Sequence, residues 1–275
     1  MRAKVLYVSD LTYPARGRRY GDEDAYLTRE LREHFDLALC HPLDAVGLMD
    51  RFDAVIVRNS GPVLHFQAEY DEFRAQAIAQ GTRVYNQLTG KADMVGKQYL
   101  VELSDAGYPV IPTTDSDPST LPESAGYLVK PKLGSDSIGL RKVSRDELDT
   151  LALDGLLAQP LVDFRYEVSF YFVDHDFQYA LYTPDPKHRW DLAPYQPTDD
   201  DLAFAQRFVD WNTIDHGIQR VDACRTTTAG NAIGDLLLVE LEDLNPFLSL
   251  ASTTDDHRTA FVNRVASSVR TLLTP

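Results

Sequence analysis

Short apolar runs and amphipathic segments alternate along the first third of the chain. Runs rich in β-branched and aromatic residues predict strands at 4–9, 37–40, 53–60 and 83–86. Between them, helical spacing predicts helices over 23–35 and 66–80, the second with Gly81 as its C-cap. This β-α-β alternation predicts a parallel, doubly wound α/β sheet. No GxGxxG motif follows the first strand, which disfavours a dinucleotide-binding Rossmann site.

The middle of the chain predicts a small α+β module. Residues 92–106 show helical spacing that ends at Gly107, and the Pro-, Ser- and Thr-rich stretch 112–124 predicts an exposed connection. A strand, a glycine-bearing turn and a second strand are predicted over 127–143. A helix near 145–153 and a strand at 156–162 complete the module.

The last third predicts paired strands flanked by helices. Residues 166–183 alternate around an Asp-His-Asp turn, which is typical of a hairpin. Two apolar runs, at 217–224 and 235–246, predict a second pair of strands. Helices are predicted at 199–215 and 255–273.

Composition and charge narrow the class of protein. At ~150 residues per domain, a chain of 275 residues suggests roughly two lobes. No apolar run approaches the ~18 residues of a membrane span, and the opening run VLYV is too short for a signal peptide. A net charge of −15 disfavours nucleic acid and anionic lipid as partners. The cysteines, Cys40 and Cys224, form no CxxC pair, so we expect reduced thiols in the cytoplasm.

A lysine and a turn of small residues follow the apolar segment YLV. Lys130 ends this strand, and the turn runs from Gly134 to Gly139. Small residues let backbone N–H groups approach phosphate oxygens, whose charge a strand-held lysine can neutralise. The Walker A pattern GxxxxGK[ST] is absent. A hairpin tip with solvated charges is an equally good explanation of the segment alone.

Two carboxylates, Glu240 and Glu242, follow the apolar run LLLV. Their spacing puts both side chains on one face of a strand, and Asp222 on the preceding strand offers a third oxygen donor. Mg²⁺ prefers such hard oxygen ligands and would relieve the repulsion between the carboxylates. The alternative is an exposed acidic edge strand, which the apolar run before it disfavours.

Polar residues at the ends of the N-terminal strands are candidate substrate ligands. Asp10, Arg58 and Asn86 fall at the predicted carboxyl ends, where ligands bind in parallel sheets. Arg16 lies in a loop with two further arginines, which suits a substrate that carries a carboxylate. An ordinary solvated loop is the alternative.

Taken in order, these elements resemble the ATP-grasp superfamily over nearly the whole chain. They include a helix with Lys97, the lysine and glycine loop, a QPLV segment at 159–162, the following Glu167, and the strands with Asp and ExE. The likeness extends to the glutathione-synthetase and ribosomal-protein-glutamate-ligase group. Segment 84–113 also resembles the O-ureido-serine cyclo-ligase branch.

The resemblance implies an α/β protein with an ATP-grasp fold in three parts. These are an N-terminal parallel α/β lobe at 1–111, a small central lid subdomain at 112–163 and a C-terminal antiparallel-sheet lobe at 164–275.

The resemblance also implies roles for particular residues. Those expected to hold ATP are Lys97, Lys130 or Lys132, the loop residues Gly134, Ser135, Ser137 and Gly139, the adenine-bordering Gln159, Leu161 and Val162, and the ribose carboxylate Glu167. Those expected to hold metal are Asp222, Glu240 and Glu242, the last in a place usually held by Asn. The expected catalytic residues are Arg189, Arg220 and Asn245, and the expected substrate ligands are Asp10, Arg16 and Arg58.

The function that the resemblance implies is ATP-dependent carboxylate-amine ligation, peptide-like or cyclising, of a small amino-acid-like substrate. The reaction would pass through an acyl-phosphate and release ADP and phosphate, with ATP and a pair of Mg²⁺ ions as cofactors, for which Mn²⁺ can substitute. The partners implied are small carboxylates and amines, and a homodimer is compatible with them. An ATP-grasp small-molecule kinase would share every ATP-binding residue, and a non-catalytic nucleotide-binding module is a third alternative.

Overall fold

The N-terminal lobe is built around a parallel sheet with the strand order β4-β1-β5-β6, which confirms the predicted doubly wound arrangement. The structure is a computed structural model that describes residues 2–15, 18–58, 63–134, 137–185, 188, 190–228 and 232–274. The elements of this lobe are β1 (Lys4–Val8), β2 (Pro14–Ala15), β3 (Arg18–Arg19), α1 (Tyr20–Leu31), β4 (Asp36–Cys40), α2 (Ala45–Leu48), β5 (Ala54–Val57), α3 (Gln67–Gln80) and β6 (Val84–Tyr85).

The burial of β1, β5 and β4 agrees with their places in the sheet. The side chains of β5 are all buried, as are those of β1 after its first residue, which suits central strands covered on both faces. β4 is only partly buried and forms an edge. Gly81 ends α3 in the left-handed conformation with φ 67°, and its amide donates to the Ala77 and Ile78 carbonyls, as the predicted C-cap requires.

The single helix predicted over 92–106 is wrong in its first half. A 3-10 turn at Asp93–Val95 precedes α4 (Tyr99–Asp105), and the break falls at Gly96, where φ is 96°. A Cβ atom on Gly96 would lie only 2.8 Å from the Leu133 side chain, so the close approach requires glycine. The Lys97 amide donates to the Lys132 carbonyl (2.8 Å) instead of to a helical carbonyl.

The central module is a small antiparallel sheet with one short helix. Its elements are β7 (Tyr127–Pro131), β8 (Arg141–Val143), α5 (Arg145–Asp149) and β9 (Leu156–Pro160), with β7 between the other two strands. Ser144 and Glu147 form a reciprocal capping box that starts α5. A separate apolar cluster that includes Tyr127, Val129 and Leu148 holds the module together.

The C-terminal part is an antiparallel sheet in the order β12-β11-β10-β13-β14. Its elements are β10 (Phe164–Val173), β11 (Asp176–Tyr182), β12 (Ala193–Tyr195), α6 (Asp199–Asn212), β13 (Ile218–Thr228), β14 (Ala232–Glu242) and α7 (Asp255–Leu273). α6 buries Ala205, Phe208 and Val209 in a core that includes residues of β13 and β14. The short strands β2, β3 and β12 were not predicted, because two or three residues carry too little periodicity.

One apolar core joins the N-terminal lobe to the C-terminal sheet. It contains Tyr7 of β1, Leu27 of α1, Tyr171 of β10 and Phe261 of α7. Farther along the chain, Val110 bridges Leu238, and Thr114 bridges Ala158 of the central module. The domain boundaries at 111/112 and 163/164 stay a prediction. Within the described ranges, no helix combines the length and apolar character needed to cross a membrane.

Asn86 ties the end of β6 to the C-terminal sheet, instead of facing a ligand as its position predicts. Its buried amide group donates to the carbonyls of Ile218 (2.6 Å) and Asp243 (2.5 Å) and accepts from the Ile218 amide (2.7 Å). The side chain is therefore fully committed to backbone groups of two other segments.

We expect Asn86→Ala to lower the free energy of unfolding by about 2–4 kcal/mol, because it leaves a buried N–H and two carbonyls without this partner. Urea unfolding measures the change, with Asn263→Ala on the exposed side of α7 as the matched control. A loss as small as that of the control would contradict the role given to Asn86.

Candidate active site

Three carboxylates meet on neighbouring strands of the C-terminal sheet. In the antiparallel register of β13 and β14, Asp222 lies opposite Glu240 and Arg220 lies opposite Glu242. Because Val221 and Leu241 are buried in the core on the α6 side, these four residues face the other side. Asp222, Glu240 and Glu242 each bring an oxygen within 4.8 Å of the others. Hard oxygen donors at this spacing suit a small divalent cation, so the donor set fits Mg²⁺.

Arg220 lies between two of these carboxylates. Its Nε donates to both oxygens of Asp222 (2.9 and 3.1 Å), and its Nη2 donates to Asp222 (2.7 Å) and to Glu242 (2.5 Å). Its Nη1 donates to the Phe247 carbonyl (2.8 Å). Burial opposes the charge of Arg220, but Asp222 and Glu242 outweigh it and raise its pKa above the ordinary value. Burial raises the pKa of Glu242 to about 7, and Arg220 opposes that rise.

Lys97 balances the third carboxylate. Its buried ammonium group pairs with Glu240 and with Asp93, the latter at 2.7 Å. Asp93 lies in the 3-10 turn, four residues before Lys97. Because the helix is broken at Gly96, between these two residues, the break affects the direction of the Lys97 side chain. The ion pair between Lys97 and Glu240 therefore links the N-terminal lobe to β14.

An apolar cavity of about 240 Å³ lies between the central module and the C-terminal sheet. Its apolar lining includes Ile111, Leu128, Ile138, Leu140, Leu161, Val162 and Phe164. Its polar lining consists of Lys97, Lys130, Gln159, Glu167 and Glu240, with Ser137 at the turn. This lining suits a ligand with an apolar part and a charged part.

Gln159 and Leu161, which are expected to border adenine, line this cavity but are already partly engaged. The Gln159 side chain donates to Thr113 Oγ1 (2.8 Å), and the Leu161 amide donates to the Gly126 carbonyl (2.9 Å). One N–H of the Gln159 side chain and the Leu161 backbone N–H are therefore already bonded within the protein.

Lys130 and Lys132 differ in their surroundings. Lys130 lines the apolar cavity, and among the described residues no carboxylate forms an ion pair with it. Burial, together with the nearby charge of Lys97, lowers the pKa of Lys130 to about 7. Lys132 does not line this cavity and pairs with Asp115 at 2.6 Å, which lowers the pKa of Asp115. The geometry thus favours Lys130 as the cation that meets a ligand there.

A second, polar cavity of about 140 Å³ adjoins the first. Its lining includes the side chains of Tyr20, Ser169, Thr183, Trp190, Arg220, Phe247 and Ser249, together with the three carboxylates of β13 and β14. Ser137, Glu167, Val239 and Glu240 line both cavities. The two cavities therefore share a wall that carries Glu167 and Glu240.

The turn after β7 contains two residues in the left-handed conformation, of which Ser137 lines both cavities. Ser137 has φ 58° and Gly139 has φ 77°. A Cβ atom on Gly139 would lie 2.8 Å from Pro131, whereas one on Gly134 would make only ordinary contacts from 3.5 Å. Glycine is thus required at 139 and not, by local sterics, at 134.

Several expected site residues lie outside both cavities. Asn245 lines a third cavity of about 80 Å³, together with Lys97 and Gly134. Asp10 accepts hydrogen bonds from the Thr12 amide (2.9 Å) and hydroxyl (2.6 Å). Arg16, Ser135 and Arg189 lie outside the described residues.

Arg58 is buried away from both cavities, although we expected it to bind substrate. It donates to Asp24 (3.2 Å) and to the Pro246 carbonyl (2.8 Å). Asp24 also accepts from Tyr7 (2.6 Å) and Ser9 (2.5 Å), so Arg58 belongs to a buried cluster. These contacts join β5 to the segment after β14, and the substrate role expected for Arg58 stays a prediction.

Sequence reasoning missed several residues of the polar cavity. Ser169 donates to Asp222 at 2.6 Å and lies opposite it on β10, so a cross-strand alignment of the two runs could have found it. Tyr20 and Phe247 contact each other with ring centroids 4.5 Å apart, but they come from distant segments. Only the tertiary fold brings such a pair together.

Solved structures share this arrangement of sheets over almost their whole length. The chain is similar to D-cycloserine synthetase DcsG, with a TM-score of 0.72 and 21% identity over 98% of this chain and 100% of that one. The chain has the ATP-grasp fold. It is also similar to D-alanine–D-alanine ligase from Bacillus anthracis complexed with ATP, with a TM-score of 0.62 and 11% identity over 98% and 97% of the two chains.

A third solved structure shares the fold over the whole of both chains. The ATP-grasp ligase PsnB complexed with its minimal precursor matches with a TM-score of 0.61 and 16% identity over 100% of both chains. No protein-family model matches the chain, and no curated protein does. The expected ATP-grasp fold is therefore confirmed by structure, at identities that establish the fold alone.

We expect Arg220→Met to lower the free energy of unfolding by about 2–4 kcal/mol in EDTA, because it leaves two largely buried carboxylates without their cation. Millimolar Mg²⁺ should recover part of that loss by binding the same carboxylates. Urea unfolding with and without Mg²⁺ measures both effects, and Arg141→Met on exposed β8 is the control. A loss equal to that of the control would contradict the stabilising role given to the ion pairs of Arg220 with Asp222 and Glu242.

Proposed function

We propose that the chain is an ATP-dependent ligase that joins a small carboxylate to an amine. ATP would phosphorylate the carboxylate to an acyl-phosphate, and the amine would displace phosphate to form an amide. ADP and phosphate are then the co-products. The substrate is amino-acid-like, and the enzyme is expected in the cytoplasm with Cys40 and Cys224 reduced.

The observation that carries this proposal is the wall shared by the two cavities. The apolar cavity offers a surface for a base and, at one end, the cations Lys97 and Lys130. The polar cavity begins at the same Glu240 and Glu167. A ligand that lies in the first with its phosphates towards Glu240 would present its terminal phosphoryl group to a molecule in the second. This geometry suits transfer between two bound reactants.

The residues around that wall would divide the work. Lys97 and Lys130 would offset the negative charge of the phosphates, which is the main contribution a protein makes to phosphoryl transfer. Asp222, Glu240 and Glu242 would hold Mg²⁺, which supplies charge neutralisation and alignment of the phosphate oxygens when bound. Glu167 lies on the same wall, where a carboxylate can accept hydrogen bonds from ribose hydroxyls. No side-chain nucleophile is required.

The polar cavity favours a compact substrate with an amino group. Its volume of about 140 Å³ is smaller than the 240 Å³ or so of the apolar cavity. Of the described residues that line it, Arg220 is the only basic one, against the four carboxylates of Glu167, Asp222, Glu240 and Glu242. Bound Mg²⁺ would offset part of this negative charge, and an ammonium group of the substrate would offset more of it. Arg220 would attract the substrate carboxylate.

The proposal is tested by following ADP and phosphate release from Mg-ATP against panels of amino acids and small carboxylic acids. We expect ADP and phosphate to rise together with one panel, with mass spectrometry identifying an amide product. ADP without phosphate would make the protein a kinase. Release of neither product, in a protein that binds Mg-ATP, would favour a non-catalytic module.

Glu240→Gln, which keeps the shape of the cavity wall, should bind ATP and lose turnover.

We expect Lys130→Met to weaken Mg-ATP binding about 10- to 100-fold, the worth of a charge-assisted hydrogen bond. Lys132→Met is the matched control and should change the affinity less than about 3-fold, because Lys132 is paired with Asp115 outside the apolar cavity. Isothermal titration calorimetry measures both. The reverse order of effects would show that Lys132 is the phosphate ligand.

A further inference from the structure

The segment 245–250 after β14 forms part of the polar cavity. Phe247 and Ser249 line this cavity, and the Phe247 ring contacts Tyr20 at the start of α1. The Phe247 carbonyl also accepts the hydrogen bond from Arg220 Nη1 (2.8 Å). The position of this short segment therefore affects both an aromatic wall and the orientation of the cavity's arginine.

A single carboxylate from the other lobe holds this segment in place. Glu23 of α1 accepts the Leu248 amide on Oε2 (2.8 Å) and the Leu250 amide on Oε1 (2.8 Å). Ser249, between these two amides, has φ 52°, and this left-handed residue turns both N–H groups towards one acceptor. A serine seldom adopts this conformation unless its surroundings fix it.

Glu23 is committed to this contact and not to solvent. The residue is only 8% exposed, and burial raises the pKa of its carboxyl to about 7 against the opposing effects of Arg58 and the two amides. A buried carboxylate is costly unless its hydrogen bonds are made. Further contacts restrain the same segment, among them those from Arg58 to the Pro246 carbonyl (2.8 Å), from Tyr179 to the Leu248 carbonyl (2.7 Å) and from Arg258 to the Leu250 carbonyl (3.2 Å).

We infer that Glu23 is a positioning residue for the substrate side of the site. By accepting hydrogen bonds from the Leu248 and Leu250 amides, Glu23 holds the Phe247 ring in the wall of the polar cavity. It also holds the Phe247 carbonyl, which orients Arg220. Glu23 itself lines neither cavity and touches no reacting group. The kinetic consequence of this inference rests on the proposed function, but the two hydrogen bonds between Glu23 and the segment can be tested without turnover.

Glu23→Gln is an informative variant because each oxygen of the Glu23 carboxylate accepts one amide. Glutamine keeps the size of the side chain, but it has one acceptor oxygen where glutamate has two. One of the two amides would then face an NH₂ group. Glu23→Asp keeps both oxygens on a shorter side chain and should restore part of what glutamine loses.

The matched control is Asp174→Asn. Asp174 is buried to the same degree, at 7% exposed, and accepts the Gly217 amide (3.1 Å) and the Ser268 hydroxyl. It also pairs with Arg264 and lies at the turn between β10 and β11, where it lines neither cavity. Its substitution should lower stability without moving segment 245–250.

The first measurement is hydrogen exchange of the Leu248 and Leu250 amides in the full-length protein. In Glu23→Gln we expect exchange at these amides to be at least about 10-fold faster, with the amides of β13 unchanged. Asp174→Asn should leave Leu248 and Leu250 at their wild-type rates. Equal rates at these two amides in the wild type and Glu23→Gln would overturn the inference, whatever the protein catalyses.

The second measurement uses the amino acid that raises ADP release most in the panel described above. Glu23→Gln should raise the KM for that amino acid at least about 10-fold while changing the KM for ATP less than about 2-fold, and Glu23→Asp should lie between the two. Asp174→Asn should change neither KM. An equal rise in both KM values, or no rise, would make Glu23 purely structural. If no amino acid is turned over, the proposed function fails, and the exchange rates still decide the inference.

Discussion

The antiparallel register of β13 and β14 is the constraint on which the candidate site depends. It sets Asp222 opposite Glu240 and Arg220 opposite Glu242, all on the face away from α6. A slip of one residue would turn these side chains into the core and expose Val221 and Leu241 to the cavity. The apolar residues of the same strands therefore fix the register, and the register fixes the charges. In this way the packing of the core determines the chemistry of the opposite face.

The concentrated negative charge then explains why distant segments converge on these strands. Lys97, brought in by the break at Gly96, pairs with Glu240, and Arg220 pairs with Asp222 and Glu242. Arg220 in turn bonds to Phe247, in the segment that Glu23 and Arg58 hold from the N-terminal lobe. Buried charges are tolerated only when they are paired and hydrogen-bonded. Because the three carboxylates need cationic partners, the N-terminal lobe and the C-terminal sheet are linked at the place where the two cavities meet.

The sequence could predict what local patterns encode and could not predict what tertiary contacts decide. Alternation and spacing were enough for the longer strands and for the shared face of Glu240 and Glu242, and the resemblance supplied Lys97 and Lys130. The helix break at Gly96 depends on the approach of Leu133, which no pattern within 92–106 reveals. Arg58 and Asn86 occupy positions typical of ligand-binding residues, but they bond to backbone groups far away in sequence. The roles of Glu23, Tyr20 and Phe247 likewise arise from contacts between distant segments.

The central claim is that a nucleotide in the apolar cavity directs its terminal phosphate at the polar one across the β13–β14 carboxylates. A crystal structure with Mg²⁺ and a non-hydrolysable ATP analogue tests it most directly. The account predicts the adenine between the central module and the C-terminal sheet beside Leu161 and Val162, the phosphates at Lys97 and Lys130, and the metal on Asp222, Glu240 and Glu242. A nucleotide bound elsewhere, or a metal that avoids these three carboxylates, would contradict the account.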